Sequence, residues 1–451
     1  MNTFFYPLQK LNGFERAKEC LDTGKTCQVT GCADSQLAHF ITGLSDGYKN
    51  KVIVTFSGTK AKELYEDLKA FDKNVVLYPA KDFIFFSADV HGNVILQQRL
   101  ECIKKLVEDK PCTIVTTADG LMDKIMPLDR IKENVLEISE GSIIEMDAIR
   151  HKLVQMGYEG AEQVESPGQF AIRGSIIDIY TLTDEVPYRI DMWDDEVDII
   201  KSFEVETQRS IENLEKITIY PATDYVLTKE EIRAGIDKIK KDLKKNSEAL
   251  RKQFKTEEAH RLEVIIKEFI DNEEINENGM SFDSYVNYFY DGMVSFIDYL
   301  KDAAFFIDEP KRVDEQMKAV ETEFRDSMSN RLEKGYVLPG QTDIVWSRKT
   351  IESKLDSVKK VLFTSLDQTV KNFTVEAKTI SPYNNKFEML VEDLKKYKKQ
   401  KYQVIMVCAS LTRAKRLAED LRGFGISAFY EEDKEREALS GEVMIVTGHL
   451  R

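Results

Sequence analysis

"KVIVTFSGTKAKELYEDLKAFDKNVVLYP", residues 51–79, reads as a strand, a helix and a second strand in direct succession. The outer segments, KVIVTF (51–56) and NVVLYP (74–79), are short apolar runs, and between them Leu64 and Leu68 recur at helical spacing. Short continuous apolar runs separated by amphipathic helices are typical of buried parallel strands. The stretch therefore predicts an α/β unit.

The same alternation continues on both sides of this stretch. Residues 27–31 form a strand pattern that leads into helical spacing over 37–44, and a helical pattern over 96–107 leads into the strand CTIVTT (112–117). Strands that alternate with helices build a sheet covered on both faces. We therefore expect a doubly wound parallel-sheet domain over residues 1–125.

Three further segments complete the predicted α/β organisation. Residues 126–222 contain one helical pattern (147–158) and then several β-rich stretches, which predicts a small α+β module inserted after the first domain. Residues 223–355 are charged and helical, apart from the apolar run AAFFIDEP (303–310). Residues 356–451 return to strand and helix patterns, which predicts a second small α/β domain.

Two helical stretches resemble each other at a distance. KAKELYEDLKAF (60–71) and RAKRLAEDLRGF (413–424) share seven identical positions, and each follows a strand pattern. A structural repeat of the first unit explains this match, and chance similarity between two charged amphipathic helices explains it as well. The sequence stops at Arg451, directly after a strand pattern, which we interpret as the end of a fragment of a longer protein.

Composition excludes several classes of protein. No apolar run approaches the roughly 20 residues that a membrane span needs, the N-terminus lacks the features of a secretion signal, and none of the six cysteines forms a CxxC pair. We expect a cytoplasmic protein with reduced thiols, no metal site, no cofactor and no membrane contact. Its formal net charge of −15 predicts weak DNA binding by this chain alone and favours protein partners.

A phosphate-binding loop has the pattern GxxxxGK[ST] between a strand and a helix. Residues 24–26 (GKT) precede the first strand and therefore predict an ordinary turn. After that strand, residues 28–35 read QVTGCADS. Gly31 is retained and Ser35 survives in kind, but Asp34 stands where the lysine belongs. A carboxylate at a helix N-terminus occupies the place that a phosphate would take, so the loop predicts a degenerate nucleotide site.

The apolar run near residue 305 ends in Asp308 and Glu309. This pattern has the form of a strand that supplies a magnesium-associated aspartate and a catalytic glutamate. An ordinary strand that ends in an acidic turn is an equally simple explanation. We assign both residues to the degenerate site, where they would have no bound phosphate to serve.

Residues 166–222, from SPGQFAIRGSIIDIY through PYRIDMWDDEVD to ITIYPA, carry a specific resemblance. They look like the second domain of UvrB, the damage-verifying subunit of bacterial nucleotide excision repair. They are more similar still to the UvrB-like module of the transcription-repair coupling factor (Mfd) family. Two departures from UvrB favour the latter: the altered loop at 28–35, and residues 78–100, which pass into a helix where UvrB has a DNA-inserting hairpin.

The resemblance implies a partner and a set of contacts. In this family the second domain recruits UvrA, the damage-recognition ATPase, through positions that match Arg173, Arg189 and Trp193. Many relatives have Phe at the third position. The family's longer proteins also carry an RNA-polymerase-binding domain and an ATP-dependent DNA translocase motor. The resemblance therefore implies that RNA polymerase and DNA are contacted only by parts outside this chain.

Strand alternation gives an independent reading of the same residues. In PYRIDMW (187–193), Arg189, Asp191 and Trp193 share one face of the strand and the apolar residues share the other. Arginine and tryptophan are enriched at interface hot spots. The alternatives are a buried Trp193 with Arg189 paired to Asp191 or Asp194, and an Arg173 that is only a turn charge.

Three functions are compatible with these patterns. We favour a non-catalytic adaptor that docks UvrA over a direct DNA-damage-binding module, which would need a basic groove and the missing hairpin. An active nucleotide hydrolase ranks last because of Asp34.

Overall fold

The computed structural model describes residues 4–32, 34–81, 90–275, 283–365, 373–375, 380, 383, 386–433 and 436–448. Residues 82–89, part of the segment expected to replace the UvrB hairpin, lie outside the described residues; the helix expected after them begins at Val90.

The strands of the described residues follow one another in this order: β1 (Cys27–Thr30), β2 (Asn50–Thr55), β3 (Val75–Tyr78), β4 (Cys112–Thr117), β5 (Leu136–Ser139), β6 (Glu159–Gly160), β7 (Gln169–Arg173), β8 (Ile176–Ile179), β9 (Tyr188–Trp193), β10 (Glu196–Phe203), β11 (Ser210–Leu214), β12 (Lys216–Ile219), β13 (Ala304–Asp308), β14 (Lys359–Thr364), β15 (Phe373–Thr374), β16 (Val404–Cys408), β17 (Ala428–Tyr430) and β18 (Val443–Thr447).

The α-helices of the same residues are α1 (Tyr6–Gln9), α2 (Phe14–Asp22), α3 (Asp34–Leu44), α4 (Gly58–Leu68), α5 (Val90–Val107), α6 (Ala118–Met122), α7 (Leu128–Lys132), α8 (Met146–Gln155), α9 (Lys229–Lys252), α10 (Thr256–Ile275), α11 (Val286–Phe289), α12 (Pro310–Glu333), α13 (Arg348–Asp356), α14 (Phe387–Lys399) and α15 (Leu411–Gly423). Short 3-10 helices lie at Asp283–Tyr285, Phe296–Tyr299 and Pro339–Thr342.

Seven of the described strands form one parallel sheet in the order β15-β1-β14-β13-β2-β4-β3. The α/β fold class and all four strands expected in the first domain are confirmed. Alternate residues of β2 face opposite sides of the sheet: Val52 and Val54 belong to one buried cluster, and Ile53 belongs to the other. Both faces are therefore covered, as a doubly wound sheet requires.

Two strands from the C-terminal half lie in the middle of this sheet. β13 pairs with β2, and β14 lies between β13 and β1. Residues 359–364 therefore belong by strand pairing to the first domain, whereas the sequence had assigned everything from 356 onward to the final domain. The apolar run within the segment expected to be helical is likewise a central strand.

The inserted module is built around a sheet of the described strands in the order β11-β10-β9-β8-β7-β6, antiparallel except for the short β6/β7 pair. Its inner face supplies Phe170, Ile177 and Ile190 to the same buried cluster as Val52 of the large sheet. Because the inner face is held against the rest of the molecule in this way, the opposite face of the module is left toward solvent.

The helical segment begins with the antiparallel pair α9 and α10. A capping box starts α9: the Thr228 hydroxyl accepts from the Glu231 amide, and the Glu231 carboxylate accepts from the Thr228 amide. These bonds satisfy two of the backbone donors that a helix leaves unpaired at its first turn. Leu243 of α9 and Leu262 of α10 belong to a buried cluster of this segment.

The final unit has a separate three-stranded parallel sheet of described strands, in the order β16-β18-β17, and its own buried cluster. The strands and the helix expected near 404, 411 and 443 are confirmed. The two similar helical stretches are α4 and α15, and a serine side chain caps each at its N-terminus, Ser57 and Ser410 respectively.

Within the described ranges, no helix combines the length and apolar character needed to cross a bilayer. In the same residues, no group of three or more histidine, cysteine, aspartate or glutamate side chains is placed to hold a metal ion.

Candidate functional site: an exposed face of the inserted sheet

The alternation predicted for β9 is present in the structure. Ile190 and Met192 are buried, whereas Arg189, Asp191 and Trp193 lie on the outer face. Trp193 is 79% exposed, so the alternative of a buried tryptophan is wrong.

A buried carboxylate on the neighbouring strand holds both arginines. Asp178 of β8 lies directly opposite Arg189 in the β8/β9 register, and its relative accessibility is 0%. Its Oδ1 accepts from Arg189 Nε at 2.7 Å, and its Oδ2 accepts from one terminal nitrogen of Arg189 at 2.9 Å and from one of Arg173 at 2.6 Å. The Arg189 fork is therefore bidentate, which fixes its orientation.

Further contacts immobilise Arg189. One terminal nitrogen donates to Gln208 Oε1 at 2.8 Å, and the guanidinium carbon lies 4.3 Å from the centre of the Phe203 ring. The hydrogen bonds to Asp178 are the main cause of a raised Arg189 pKa, so the guanidinium stays charged. The alternative that Arg189 pairs with Asp191 or Asp194 is wrong: Asp191 accepts instead from Lys201 Nζ at 2.6 Å.

Arg173 is the more accessible of the two arginines. Its side chain is 43% exposed, against 16% for Arg189. Arg173 ends β7 opposite Ile176, just before the turn at Gly174. Arg173 lies at the strand end beside this turn, but it also shares the Asp178 carboxylate with Arg189, so it is more than the turn charge of the alternative. The pair thus presents one partly open and one largely covered guanidinium on a common anchor.

Sequence reasoning missed an apolar residue beside Trp193. In the β9/β10 hairpin Trp193 lies opposite Glu196, and Glu196 in turn forms an isolated antiparallel bridge with Ile143. Residues directly opposite in antiparallel pairing place their side chains on the same face. Ile143 is 74% exposed. It precedes α8 outside any strand pattern, so periodicity gave no signal for it.

The degenerate nucleotide site lies elsewhere, at the carboxyl edge of the large sheet. Gly31 follows β1 with φ +80°, and a Cβ placed on it would come within 2.3 Å of the Val375 carbonyl oxygen. The Val375 amide donates to the Thr30 carbonyl oxygen at 2.8 Å. Backbone that follows β15 therefore lies directly against the loop. Asp34 and Ser35 form the first turn of α3.

The two acidic residues that end β13 have protein partners. Asp308 is 6% exposed, and its Oδ2 accepts from the Thr55 hydroxyl at 2.7 Å. Glu309 has a left-handed φ of 51°, and its Oε1 accepts from the Ser365 amide at 2.7 Å. These contacts tie the ends of β2, β13 and β14 together, which is a structural use of both carboxylates.

Comparison with known proteins matches the inserted module to a known interaction domain. A family model for the UvrB interaction domain matches residues 136–225, the range that contains β5 to β12 and therefore Arg173, Arg189 and Trp193. The chain is 28% identical over 436 residues to a transcription-repair-coupling factor of Bacillus subtilis. It is 27% identical to those of Staphylococcus epidermidis over 430 residues and of Staphylococcus haemolyticus over 432 residues.

Each of these alignments covers 94% of this chain and 36% of the relative. The chain therefore spans little more than a third of the length of the curated relatives it matches. The resemblance to the coupling-factor family that the sequence indicated is confirmed.

Proposed function

We propose that this chain is a non-catalytic, cytoplasmic part of a transcription-repair coupling factor, and that it recruits UvrA to sites of stalled RNA polymerase. Its docking face comprises Arg173, Arg189, Trp193 and Ile143. The observation that carries the proposal is the 79% exposed Trp193 on the same outer face as two arginines that share one buried carboxylate. This group lies within the range that matches the UvrB interaction domain.

The geometry favours binding for two physical reasons. Asp178 and Gln208 hold the Arg189 guanidinium before any partner arrives, so little side-chain entropy is lost on association. Trp193 and Ile143 offer apolar area at the edge of this charged group, and aromatic and arginine side chains are those that most often dominate an interface. Contact with RNA polymerase is proposed for the parts of the longer relatives that this chain does not match.

The absence of catalysis is part of the proposal. The loop at 28–35 lacks a lysine, the Val375 backbone lies against Gly31, and Glu309 is engaged by the Ser365 amide. These features support a loop that no longer receives phosphates. Titration of this chain with ATP and Mg²⁺ should therefore give no binding heat, and a nucleotide-dependent change in UvrA affinity that originates in this chain would count against the proposal.

Calorimetric titration of UvrA with this chain tests the docking face. We expect Trp193→Ala to weaken binding by about thirtyfold, equivalent to about 2 kcal/mol. Arg189→Lys keeps the positive charge but cannot form the bidentate fork, and it should also weaken binding. Phe254→Ala removes another exposed aromatic side chain, which lies in the helical segment, and should bind UvrA as the wild type does.

Circular dichroism establishes that each variant is folded. If wild type and both face variants bind UvrA equally, the face is wrong. If the wild-type chain does not bind UvrA, the adaptor function itself is wrong.

A further inference from the structure

The end of the α9–α10 hairpin carries a concentration of positive charge. A shallow depression on α9 is lined by Lys241, Lys244, Lys245 and Lys252, together with Glu248 and Ala249. We call these four lysines the basic ridge. Within the described part of the chain, none of these four lysines forms an ion pair. Residues 238–255 contain eight basic and two acidic residues, a local charge of +6 in a chain whose net charge is −15.

An exposed and strained aromatic residue lies at the tip of the same hairpin. Phe254 is 94% exposed and has a φ of +61°. Its amide donates to the Arg251 carbonyl oxygen and the Lys255 amide donates to that of Leu250, both at 3.0 Å. This is the Schellman ending of a helix, in which glycine or asparagine normally takes the left-handed position.

Phenylalanine at this position has two costs, and at 94% exposure it gains almost no packing against the residues that the structure describes. A left-handed backbone is unfavourable for a residue with a Cβ, and a bare ring leaves apolar surface in water. The left-handed turn closes α9, and glycine or asparagine would close it at lower cost, so a phenylalanine here points to a use for its exposed ring. The chain neighbours of Phe254, Gln253 and Lys255, are polar, whereas the centre of a protein interface is usually apolar.

We propose that this hairpin end binds a single strand of nucleic acid, with phosphates along the basic ridge and a base stacked on Phe254. Basic grooves with aromatic platforms bind single strands in this way, with little dependence on sequence. At 1.5 Å per residue, Lys241 to Lys252 spans roughly 16 Å along α9, which is long enough to contact successive phosphates of one strand. This contact is separate from the docking face and goes beyond UvrA recruitment. It also departs from the expectation, drawn from the family resemblance, that DNA is contacted only by parts outside this chain.

The acidic residues nearby set the strength of this contact. Glu248 lies within the ridge, Glu257 and Glu258 occupy the first turn of α10, and Arg251 is paired with Glu263 at 2.8 Å. These charges oppose a polyanion, so the affinity should be modest and should fall steeply with salt. The net charge of the whole chain predicted weak DNA binding. The local distribution of charge indicates that this weak binding takes place at the basic ridge.

Fluorescence anisotropy of a labelled, mixed-sequence DNA strand of about 20 nucleotides, titrated with the whole chain, tests the proposal. Affinities are measured between about 50 mM and about 200 mM salt. The combined variant Lys241→Glu, Lys245→Glu and Lys252→Glu should bind the strand at least about tenfold more weakly than the wild-type chain does. Its log–log salt dependence should also be less steep by about 2. Phe254→Gly, which suits the left-handed backbone, should weaken binding about tenfold and leave the salt dependence unchanged.

A matched control changes the same net charge elsewhere. Lys311→Glu, Lys318→Glu and Lys349→Glu reverse three exposed lysines and should alter binding by less than about twofold, because nonspecific attraction is screened beyond about 10 Å. The proposal is overturned if the wild-type chain does not bind the strand at the lowest salt, or if the control variant loses as much affinity as the ridge variant. It is also overturned if polyglutamate of equal charge displaces the strand as well as unlabelled DNA does, since the surface would then suit an acidic protein.

Discussion

At the scale of single residues, alternation along β9 correctly predicted which side chains face outward, but it could not identify the partner of Arg189. The sequence offered Asp191 and Asp194 because they are near in the chain. The actual partner, Asp178, lies eleven residues away on the adjacent strand. Strand register decides which residues are opposite each other, and register depends on turn and core contacts that a local pattern does not contain.

Asp178 should matter more for stability than its place on an outer face suggests. Asp178→Ala leaves the Arg189 guanidinium largely covered and without its carboxylate, and removing one partner of a buried pair costs about 3 kcal/mol or more. The free energy of unfolding from urea titration should fall by about that amount, and UvrA affinity should fall too, because both arginines lose their anchor.

Asp191→Ala provides the comparison for Asp178→Ala. Asp191 lies on the same face and pairs with Lys201, but both side chains are partly exposed, at 29% and 23%. Its removal should cost under about 1 kcal/mol, as for exposed ion pairs generally. Equal losses of stability in the two variants would mean that the Asp178 carboxylate does not anchor the face.

At the scale of elements, the strands and helices of the first domain follow directly from their periodicity, whereas the order of strands does not. β13 and β14 lie between β1 and β2 although β13 follows β2 by about 250 residues. Each strand is a short apolar run that would fit equally well in several positions. Pairing between distant segments depends on the whole core, and for this reason the boundary placed at 356 separated β14 from its own sheet.

The degenerate nucleotide site lies in the loop between β1 and α3. Substitution of Gly31 in this loop tests whether the Val375 backbone fills the space beside it. Gly31→Ala adds strain at φ +80° and places a Cβ against the Val375 carbonyl oxygen. Gly24→Ala adds similar strain at φ +72° but meets nothing within 4 Å. Strain alone costs about 1–3 kcal/mol, so both variants should be less stable than the wild type, and Gly31→Ala should be the less stable of the two.

Thermal unfolding of the two glycine variants measures this difference. Since both substitutions add the same methyl group at a left-handed position, the additional loss in Gly31→Ala reports the contact with Val375. Equal midpoints for the two variants would mean that the loop has space for a Cβ beside Val375. The proposal that this loop no longer receives phosphates would then lose its main support.

At the scale of the whole molecule, buried clusters define which parts are held together. The inserted module and one face of the large sheet share a single cluster that contains both Ile190 and Val52. The docking face is therefore fixed to the large sheet through that core. The final unit has its own cluster, with Val391, Leu421 and Ile445 among its members. It contacts the N-terminal residues through an ion pair between Lys10 and Glu437 and through Phe4.

Two truncated chains test whether β14 belongs to the large sheet, as its strand pairing indicates, or to the final unit, as the boundary predicted at residue 356 implied. A chain that ends at residue 380 keeps β14, β15 and Val375 and should unfold cooperatively and bind UvrA. A chain that ends at residue 355 lacks β14, whose Val361 and Phe363 are 0% and 3% exposed. Losing two such core side chains costs about 2–5 kcal/mol each. Their sum is comparable to the roughly 5–15 kcal/mol that stabilises a domain. In addition, β1 loses the strand that pairs with it on the side of the sheet centre. The shorter chain should therefore show no cooperative thermal transition by circular dichroism; if both chains melt at the same temperature, β14 is not needed for the large sheet.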